Sequence, residues 1–335
     1  MISDAKADYV YILGASHSGT TLLAMLLNAH REAVSIGESA PLMLGNPDDY
    51  RCSCKSLIRR CPFWQRVSLE VSHGNPEFAP GNFGTAFTMP SHPLIQRLLR
   101  VEHRGPALES IRDLLLAASP AWRRRQDEVI RNCQALVKAV LGVSGARVFV
   151  DSSKLAHRLK FLLRVPTFDV KVIHMVRDGR AVALTYMDQD TFADALSPSL
   201  RRGGRGLDPR RQAARPSRRD MPMTRAADEW RRCICAAQHV LARMDRARWM
   251  QVRYEELCQD PAKTVGGVFR FLGLRPELAE PEFRAVEHHV IGNGMRLDAT
   301  SQISLDERWT TALTVRDLKA FDAVAGKINR LYGYM

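Results

Sequence analysis

Residues Tyr9 to Ala29 read YVYILGASHSGTTLLAMLLNA: an apolar strand, a turn of small residues and the start of a helix. Such an order belongs to an α/β sheet, and it puts a helix N-terminus beside a strand end. A helix N-terminus presents unpaired backbone N–H groups and the positive end of its dipole, so this turn is a seat for an anionic oxygen cluster. Gly14 and Gly19 allow close backbone approach, while Ser18, Thr20 and Thr21 add hydroxyl donors. The pattern follows G-x-x-x-x-G-K-[ST] except at one position. Thr20 stands where the lysine that reaches the terminal phosphates of a nucleoside triphosphate belongs. The loop suits a phosphate-bearing ligand and does not suit ordinary ATP hydrolysis. Leu22, Leu23, Leu26 and Leu27 follow at the spacing of a buried helix face.

A second motif is VKVIHMVRDGRAVALTYM, Val170 to Met187. Val170 to Val176 is an almost unbroken apolar run, as in a central parallel strand covered on both faces. Arg177 stands at its carboxyl end, where ligands collect in open α/β sheets, and Ala181 onward reads as a helix. Arg177 and Thr185 then straddle the strand–helix turn, a charged fork and a hydroxyl for one anionic group.

Together these motifs resemble those of sulfotransferases that use 3′-phosphoadenosine 5′-phosphosulfate (PAPS). In that family a Ser-Gly-Thr-Thr loop cradles the 5′-phosphosulfate, and an arginine with a hydroxyl eight positions later holds the 3′-phosphate. Here those residues are Ser18, Gly19, Thr20, Thr21, Arg177 and Thr185. Gly37-Glu38-Ser39, Asp151-Ser152-Ser153-Lys154, Arg253-Tyr254-Glu255-Glu256-Leu257 and Asp306-Glu307-Arg308-Trp309 agree in order. The resemblance spans nearly the whole chain and is nearest to bacterial sulfotransferases and the protein-tyrosine branch. It implies a P-loop-type, three-layer α/β fold with a central, mostly parallel sheet flanked by helices. It also implies PAPS as co-substrate and a hydroxyl or phenol as acceptor.

Sulfuryl transfer needs an acceptor oxygen placed in line, a general base and cationic donors at the departing phosphate; no metal is required. Glu38, just past the second strand, matches the catalytic glutamate of the tyrosine branch and is the candidate base. Lys154 is the candidate cation at the bridging oxygen, and Tyr254 is assigned to the adenine or phosphate region. Arg296 in GNGMR is a further candidate contact. His17 occupies a position where tyrosine sulfotransferases carry arginine and many cytosolic members lysine. Either a dianionic ligand raises the pKa of this imidazole, or Lys154 carries the positive charge. His157, His174, His288 and His289 offer no better base: His174 reads as a core histidine, and the adjacent pair lacks the spacing of a metal motif. Two other readings stand beside this one, a nucleotide-dependent phosphotransferase on the same loop and a non-catalytic binding protein. The missing loop lysine, and the lack of an acidic magnesium ligand after a strand, count against the phosphotransferase.

The 335 residues, 45% hydrophobic and 25% charged, are ample for a core and read as one sulfotransferase domain. A helical insertion is expected at about 73–142 and a basic flexible loop at about 197–223. Arg201 to Arg219 holds eight arginines and one aspartate, so it supplies +7 of the formal charge of +13. Such a stretch suits an anionic acceptor, an acidic protein or a membrane surface, or is a plain arginine-rich insertion. No aromatic-interleaved basic strand points to nucleic acid. The opening MISDAKADYV lacks a basic region followed by an apolar core, and no run approaches ~20 apolar residues, so a cytoplasmic location without a transmembrane segment is expected. Cys52, Cys54 and Cys61 cluster in RCSCKSLIRRCPFW, with one residue between the first two and no evident fourth partner, so no metal is expected. The resemblance places this loop near the acceptor. Oligomeric state is not legible.

Strands are expected at about Tyr9–Leu13, Ala33–Ile36, Arg147–Val150, Val170–Val176 and Trp249–Arg253. Three helices fall within Leu94–Leu141, others at Leu155–Leu163 and about Thr224–Asp245, and Pro261 opens another. Thr314 and Asp317 resemble a helix cap, with Leu318, Phe321, Ala325, Ile328 and Leu331 on one face expected to pack on the sheet.

Overall fold

The computed structural model describes residues 6–40, 50–72, 83–99, 106–187 and 221–335. Five strands, β1 (Ala7–Gly14), β2 (Ala33–Gly37), β3 (Val148–Lys154), β4 (Phe168–Val176) and β5 (Trp249–Arg253), form one sheet in the order β2-β3-β1-β4-β5. Every neighbouring pair is parallel. The side chains of β1 alternate between faces: Tyr9, Tyr11 and Leu13 enter one core, Val10 and Ile12 the other. Burial on both sides explains why these strands read as apolar runs without a polar face.

Helices α1 (Thr20–Leu27), α2 (Pro62–Ser72), α3 (Pro93–Leu99), α4 (Pro106–Ala118), α5 (Pro120–Ser144), α6 (Ala156–Leu162), α7 (Gly179–Met187), α8 (Met223–Leu241), α9 (Tyr254–Gln259) and α10 (Pro261–Leu272) are the main ones among the described residues. Residues of α1, α9 and α10 pack on one sheet face and those of α2, α5, α6 and α8 on the other, giving the expected three layers. Ser119 caps α5 by accepting from Trp122 N, Pro120 occupies its first turn, and Gly145 at φ 72° ends it. Three helices were expected within Leu94–Leu141, and α3, α4 and α5 stand there. However, α5 buries Val129, Cys133, Leu136 and Val140 in the same core as Phe149, Val34 and Ile36, so it is the crossover between β2 and β3. The basic stretch from Arg201 to Arg219 lies outside the described residues. No helix among those described is long and apolar enough to cross a membrane.

The C-terminal segment differs from its expectation in one respect. Thr314 and Asp317 form a capping box at Val315–Phe321, as their spacing predicts. A π turn over Asp322–Gly326 then shifts the phase of the face before the last helix, Lys327–Leu331. Phe321 and Ala325 are buried with Trp230 of α8 and Val182 of α7, a third core beside the sheet, whereas Leu331 is 68% exposed.

A buried polar knot joins the ends of β2 and β3. Asp151 accepts at Oδ1 from Ser153 N (2.8 Å), Ser153 Oγ (2.5 Å) and Ser39 N (3.3 Å). At Oδ2 it accepts from Tyr9 OH (2.6 Å), Ser39 Oγ (2.6 Å) and Arg158 Nε (3.3 Å). Arg158, itself buried, also donates to Thr85 O and Ser39 Oγ. Burial alone pushes the Asp151 carboxyl up, but Arg158 and the surrounding hydroxyls outweigh it and hold the pKa below the usual range.

Replacing Asp151 with Asn leaves Arg158 charged and unmatched in the core. The expected cost is about 3–5 kcal/mol of unfolding free energy, read from denaturant midpoints at unchanged slope. A carboxylate with depressed folded-state pKa contributes stability that is present above the unfolded value, about 3.9, and lost as pH falls through the folded one. The Asp151→Asn protein is therefore expected to lose less stability than the wild type between pH 5 and the acid limit, roughly the window of that linkage.

Candidate functional site

Residues from five strand ends meet at the carboxyl edge of the sheet. The loop 15–19 follows β1, Glu38 follows β2, Lys154 ends β3, Arg177 follows β4 and Tyr254 follows β5. β1 lies between β3 and β4, where successive connections run to opposite sides of the sheet. In open parallel sheets this is where a crevice opens for ligand.

The loop has the geometry of an anion cradle. Gly19, at φ 86°, precedes α1 and offers no side-chain cap to its N–H groups. A Cβ on Gly19 would stand 2.6 Å from Tyr254 Cδ2, and one on Gly14 would stand 2.5 Å from Met175 O, so both glycines are required by close approach. Ser18 Oγ and Arg177 Nε are buried and have no hydrogen-bond partner within the protein. Unpaired buried donors cost about 1–3 kcal/mol each, so they mark a place that an external acceptor satisfies. These donors, the open helix terminus and the glycine backbone fit a phosphate or sulfate group.

Arg177 is held in place on three sides. Its Nη1 donates to His17 O (2.8 Å), its Nη2 donates to Asp306 O (3.0 Å) and Asp306 Oδ2 (2.9 Å), and its guanidinium lies 4.3 Å from the centre of the Tyr254 ring. Tyr254 thus forms a wall between the loop glycine and the arginine, and its phenol sits 3.5 Å from Ser304 O. Burial pushes the Asp306 carboxyl up, but Arg308 and Arg177 pull it far below the carboxylate range.

Glu38 and Lys154 form an ion pair whose side chains are 19% and 16% exposed, so solvent reaches both. Lys154 has φ 58° and His17 φ 64°, left-handed values that cost a non-glycine residue about 1–3 kcal/mol. Strain of this kind persists where surrounding structure imposes it, here at one residue within the loop and one at the end of β3. Gly37, at φ 77°, permits a parallel bridge to Ile291: a Cβ there would lie 1.9 Å from Ile291 O. Glu38 N donates to the same carbonyl at 2.9 Å. A Cβ built on Gly292 would be 3.4 Å from Thr21 Oγ1 and 3.5 Å from Glu38 Oε1, so the loop hydroxyl and the carboxylate face one backbone.

His17 is electrostatically informative. Burial lowers its pKa to about 4, with Lys154, Arg177 and Arg308 adding to the effect. The ring is neutral at pH 7, and three cations surround it. Each of the three cations pairs with a carboxylate, Lys154 with Glu38 and both arginines with Asp306, so the ring sits among ion pairs for which an arriving anion would compete.

Other sequence candidates fall elsewhere. Thr185 is 4% exposed and donates to Ala181 O at 3.1 Å, one turn back in its own helix, so its hydroxyl proton is committed to backbone. From α7 it is Tyr186 that reaches the loop, with its ring 6.0 Å from that of His17 and its phenol 3.5 Å from Ser16 O. Arg296 is buried, donates to Gly292 O and Arg51 O, and lies over the Tyr50 ring. These contacts fasten two loops together. His174 is buried in β4 with its pKa lowered to about 4 by burial, and its Nε2 lacks a partner. His288 bonds Asn28 Nδ2 and Phe283 O, a structural pairing, and His157 lies on α6. Asp306, Tyr186 and Gly292 lie within the segments DERW, VKVIHMVRDGRAVALTYM and GNGMR, but nothing in the spacing of those segments marks them as residues that reach the sheet edge.

Residues 117–277 match the sequence model of the family described as Sulfotransferase family. Human Carbohydrate sulfotransferase 2 is 26% identical over 370 aligned residues, which cover 98% of this chain and 65% of that protein. Mouse Carbohydrate sulfotransferase 5 is 28% identical over 185 residues, covering 52% of this chain and 44% of that protein. The chain therefore spans just under two thirds of the length of the first of these relatives. Among solved structures, the Sulfotransferase Domain from the Curacin Biosynthetic Pathway superposes with a TM-score of 0.50 at 16% identity over 99% of both chains, a likeness of fold.

The His17 ring is expected to titrate with a midpoint near 4, read from its C–H resonances. Lys154→Met removes one of the cations that depress it, so the midpoint is expected to rise. An unchanged midpoint would show that the lysine does not face the imidazole.

Proposed function

We propose that the chain, which matches the sulfotransferase family model over residues 117–277, transfers a sulfuryl group from PAPS to the hydroxyl of an acceptor. The observation that carries this reading is the set of unpaired buried donors, Ser18 Oγ and Arg177 Nε, at a glycine loop that lacks the triphosphate lysine. The loop residues Ser18, Gly19, Thr20 and Thr21 would hold the 5′-phosphosulfate. Arg177 would hold the 3′-phosphate, with Thr185 joining only after its hydroxyl leaves Ala181 O. Tyr254 would bound the nucleotide.

In the proposed reaction, the acceptor oxygen attacks sulfur as its proton passes to Glu38. The new S–O bond forms as the bond to the phosphate oxygen breaks, and the departing oxygen keeps the electron pair. Lys154 would stand beside that oxygen. Glu38 and Lys154 start as an ion pair, so the acceptor hydroxyl and the donor separate two groups that already neutralise each other. Neutral His17 would donate one hydrogen bond, and the added charge of a bound anion would raise its pKa. Transfer of this kind rests on positioning and fixed charge.

For the acceptor, a carbohydrate hydroxyl is favoured by relatives whose names specify carbohydrate sulfotransferases. A phenol or tyrosine acceptor remains the reading suggested by Gly37-Glu38. The crossover helices α3 to α5 would form part of the acceptor side of the domain.

Calorimetric titration with 3′-phosphoadenosine 5′-phosphate against ATP tests the donor class: binding of the first without the second is expected. ATP binding alone would return the chain to phosphotransfer, and binding of neither would favour a non-catalytic role. Arg177→Ala is expected to weaken 3′-phosphoadenosine 5′-phosphate by about 1.5–3 kcal/mol, the worth of a hydrogen bond to a charged group. Glu38→Gln is expected to leave that affinity nearly intact while turnover falls by ~100-fold or more. Radiolabelled PAPS offered with oligosaccharide and with phenolic acceptors then separates the two acceptor classes.

A further inference from the structure

The cysteine cluster gains from the fold what its sequence lacks. His289 Nδ1 lies 3.3 Å from Cys61 Sγ and 3.7 Å from Cys52 Sγ, and Cys54 Sγ lies 3.6 Å from Cys61 Sγ. All four ligand atoms fall within 4.8 Å of one another. Zinc bound at about 2.3 Å from sulfur and about 2.0–2.1 Å from nitrogen in a tetrahedron requires S···S separations near 3.8 Å and S···N separations near 3.6 Å. The S···N distances of 3.3 and 3.7 Å straddle the required value, and the S···S distance of 3.6 Å falls just short of it. The remaining pairs lie within 4.8 Å, so modest side-chain movement would admit the ion.

We propose that Cys52, Cys54, Cys61 and His289 form a closed, tetrahedral zinc site that fastens the 50–61 hairpin to the segment behind Glu38. Three thiolates and an imidazole are a soft set that selects zinc over magnesium or calcium. Four protein ligands leave no open position, which assigns the ion a structural role.

The surroundings fit that role. Cys52 and Cys61 are fully buried. The hairpin is tight: Lys55 has φ 71°, Lys55 N donates to Cys52 O at 2.8 Å, and Cys52 N donates to Ser56 O at 3.0 Å. The His289 ring stacks on Phe63 with centroids 4.3 Å apart and an angle of 4° between planes, which fixes its orientation. Its other nitrogen, Nε2, lies 3.6 Å from Glu287 Oε1, the carboxylate partner that metal-bound imidazoles commonly have. Ser53 Oγ donates to His288 O at 2.6 Å and accepts from Val290 N at 2.8 Å, so hairpin and segment are already aligned beside the cluster. Ile291, two residues after His289, is the bridge partner of Gly37 and the acceptor for Glu38 N. The ion would thus brace the backbone on which Glu38 rests, at one remove from the chemistry. This proposal does not depend on the identity of the donor or acceptor.

Elemental analysis of the full chain, purified with reductant from zinc-supplemented cells, tests it. About one zinc per chain is expected, the stoichiometry of a four-ligand site. His289→Ala and Cys61→Ser are each expected to lose most of it, while Cys235→Ser on α8 retains it. If the cluster variants fail to fold, chelator-treated wild-type protein titrated with cobalt(II) gives an independent readout. One equivalent is then expected to produce the visible ligand-field bands of tetrahedral thiolate cobalt. Amide exchange on the same protein is expected to slow in 50–61 and 287–296 when zinc is restored. Absence of stoichiometric zinc together with absence of the cobalt bands overturns the proposal. So does another metal in zinc's place, or a Cys54–Cys61 disulfide found by mass spectrometry without added oxidant.

Discussion

The buried carboxylate of Asp151 sets the geometry on which the candidate site depends. Six donors from Tyr9, Ser39, Ser153 and Arg158 converge on its two oxygens. Ser39 follows Glu38, and Ser153 precedes Lys154. The same anion therefore registers the end of β2 against the end of β3 and brings Glu38 and Lys154 within reach of each other. A buried ion pair is weak evidence for stability, because desolvation offsets much of the attraction. Its value here is conformational: no apolar residue could accept four hydrogen bonds from two strand ends, with two more from Tyr9 and Arg158, and hold both ends in one arrangement.

Around that anchor, positive charge is distributed over several strand ends. A triphosphate loop concentrates its charge in one lysine, and this loop has Thr20 there. Lys154 comes from β3, Arg177 follows β4 and Arg308 comes from the C-terminal part of the chain, and they add to the burial that keeps His17 neutral. Dispersed cations suit a ligand with anionic groups at both ends, because each group meets its own partner. They also leave the loop itself free to contribute backbone N–H groups and hydroxyls.

Much of this was legible in the sequence where the signal is local. All five strands were located, and the central β1 and β4 most plainly, since burial on both faces removes most polar residues from them, whereas the edge strand β5 carries an exposed Gln251. The residues at the strand ends were visible because a parallel sheet puts ligand-facing side chains there. Thr185, eight residues beyond Arg177, lies on the helix that its spacing predicts, where its hydroxyl bonds Ala181 O. Phase was lost at Asp322–Gly326, where a π turn carries Leu331 off the face that periodicity gave it. Partners separated by more than a hundred residues left no trace in any local pattern. Arg158 for Ser39, Asp306 for Arg177 and His289 for the cysteines are of this kind.

The contact between Arg177 and Asp306 has a consequence for how any anion would come and go. The guanidinium is already matched by a carboxylate from a residue 129 positions away. An arriving anion meets an exchange reaction and not a bare charge, so its affinity is the difference between two pairings. Added salt weakens both pairings and partly cancels in that difference. As the anion departs, the carboxylate is at hand to take its place, and the arginine need never stand uncompensated in the crevice.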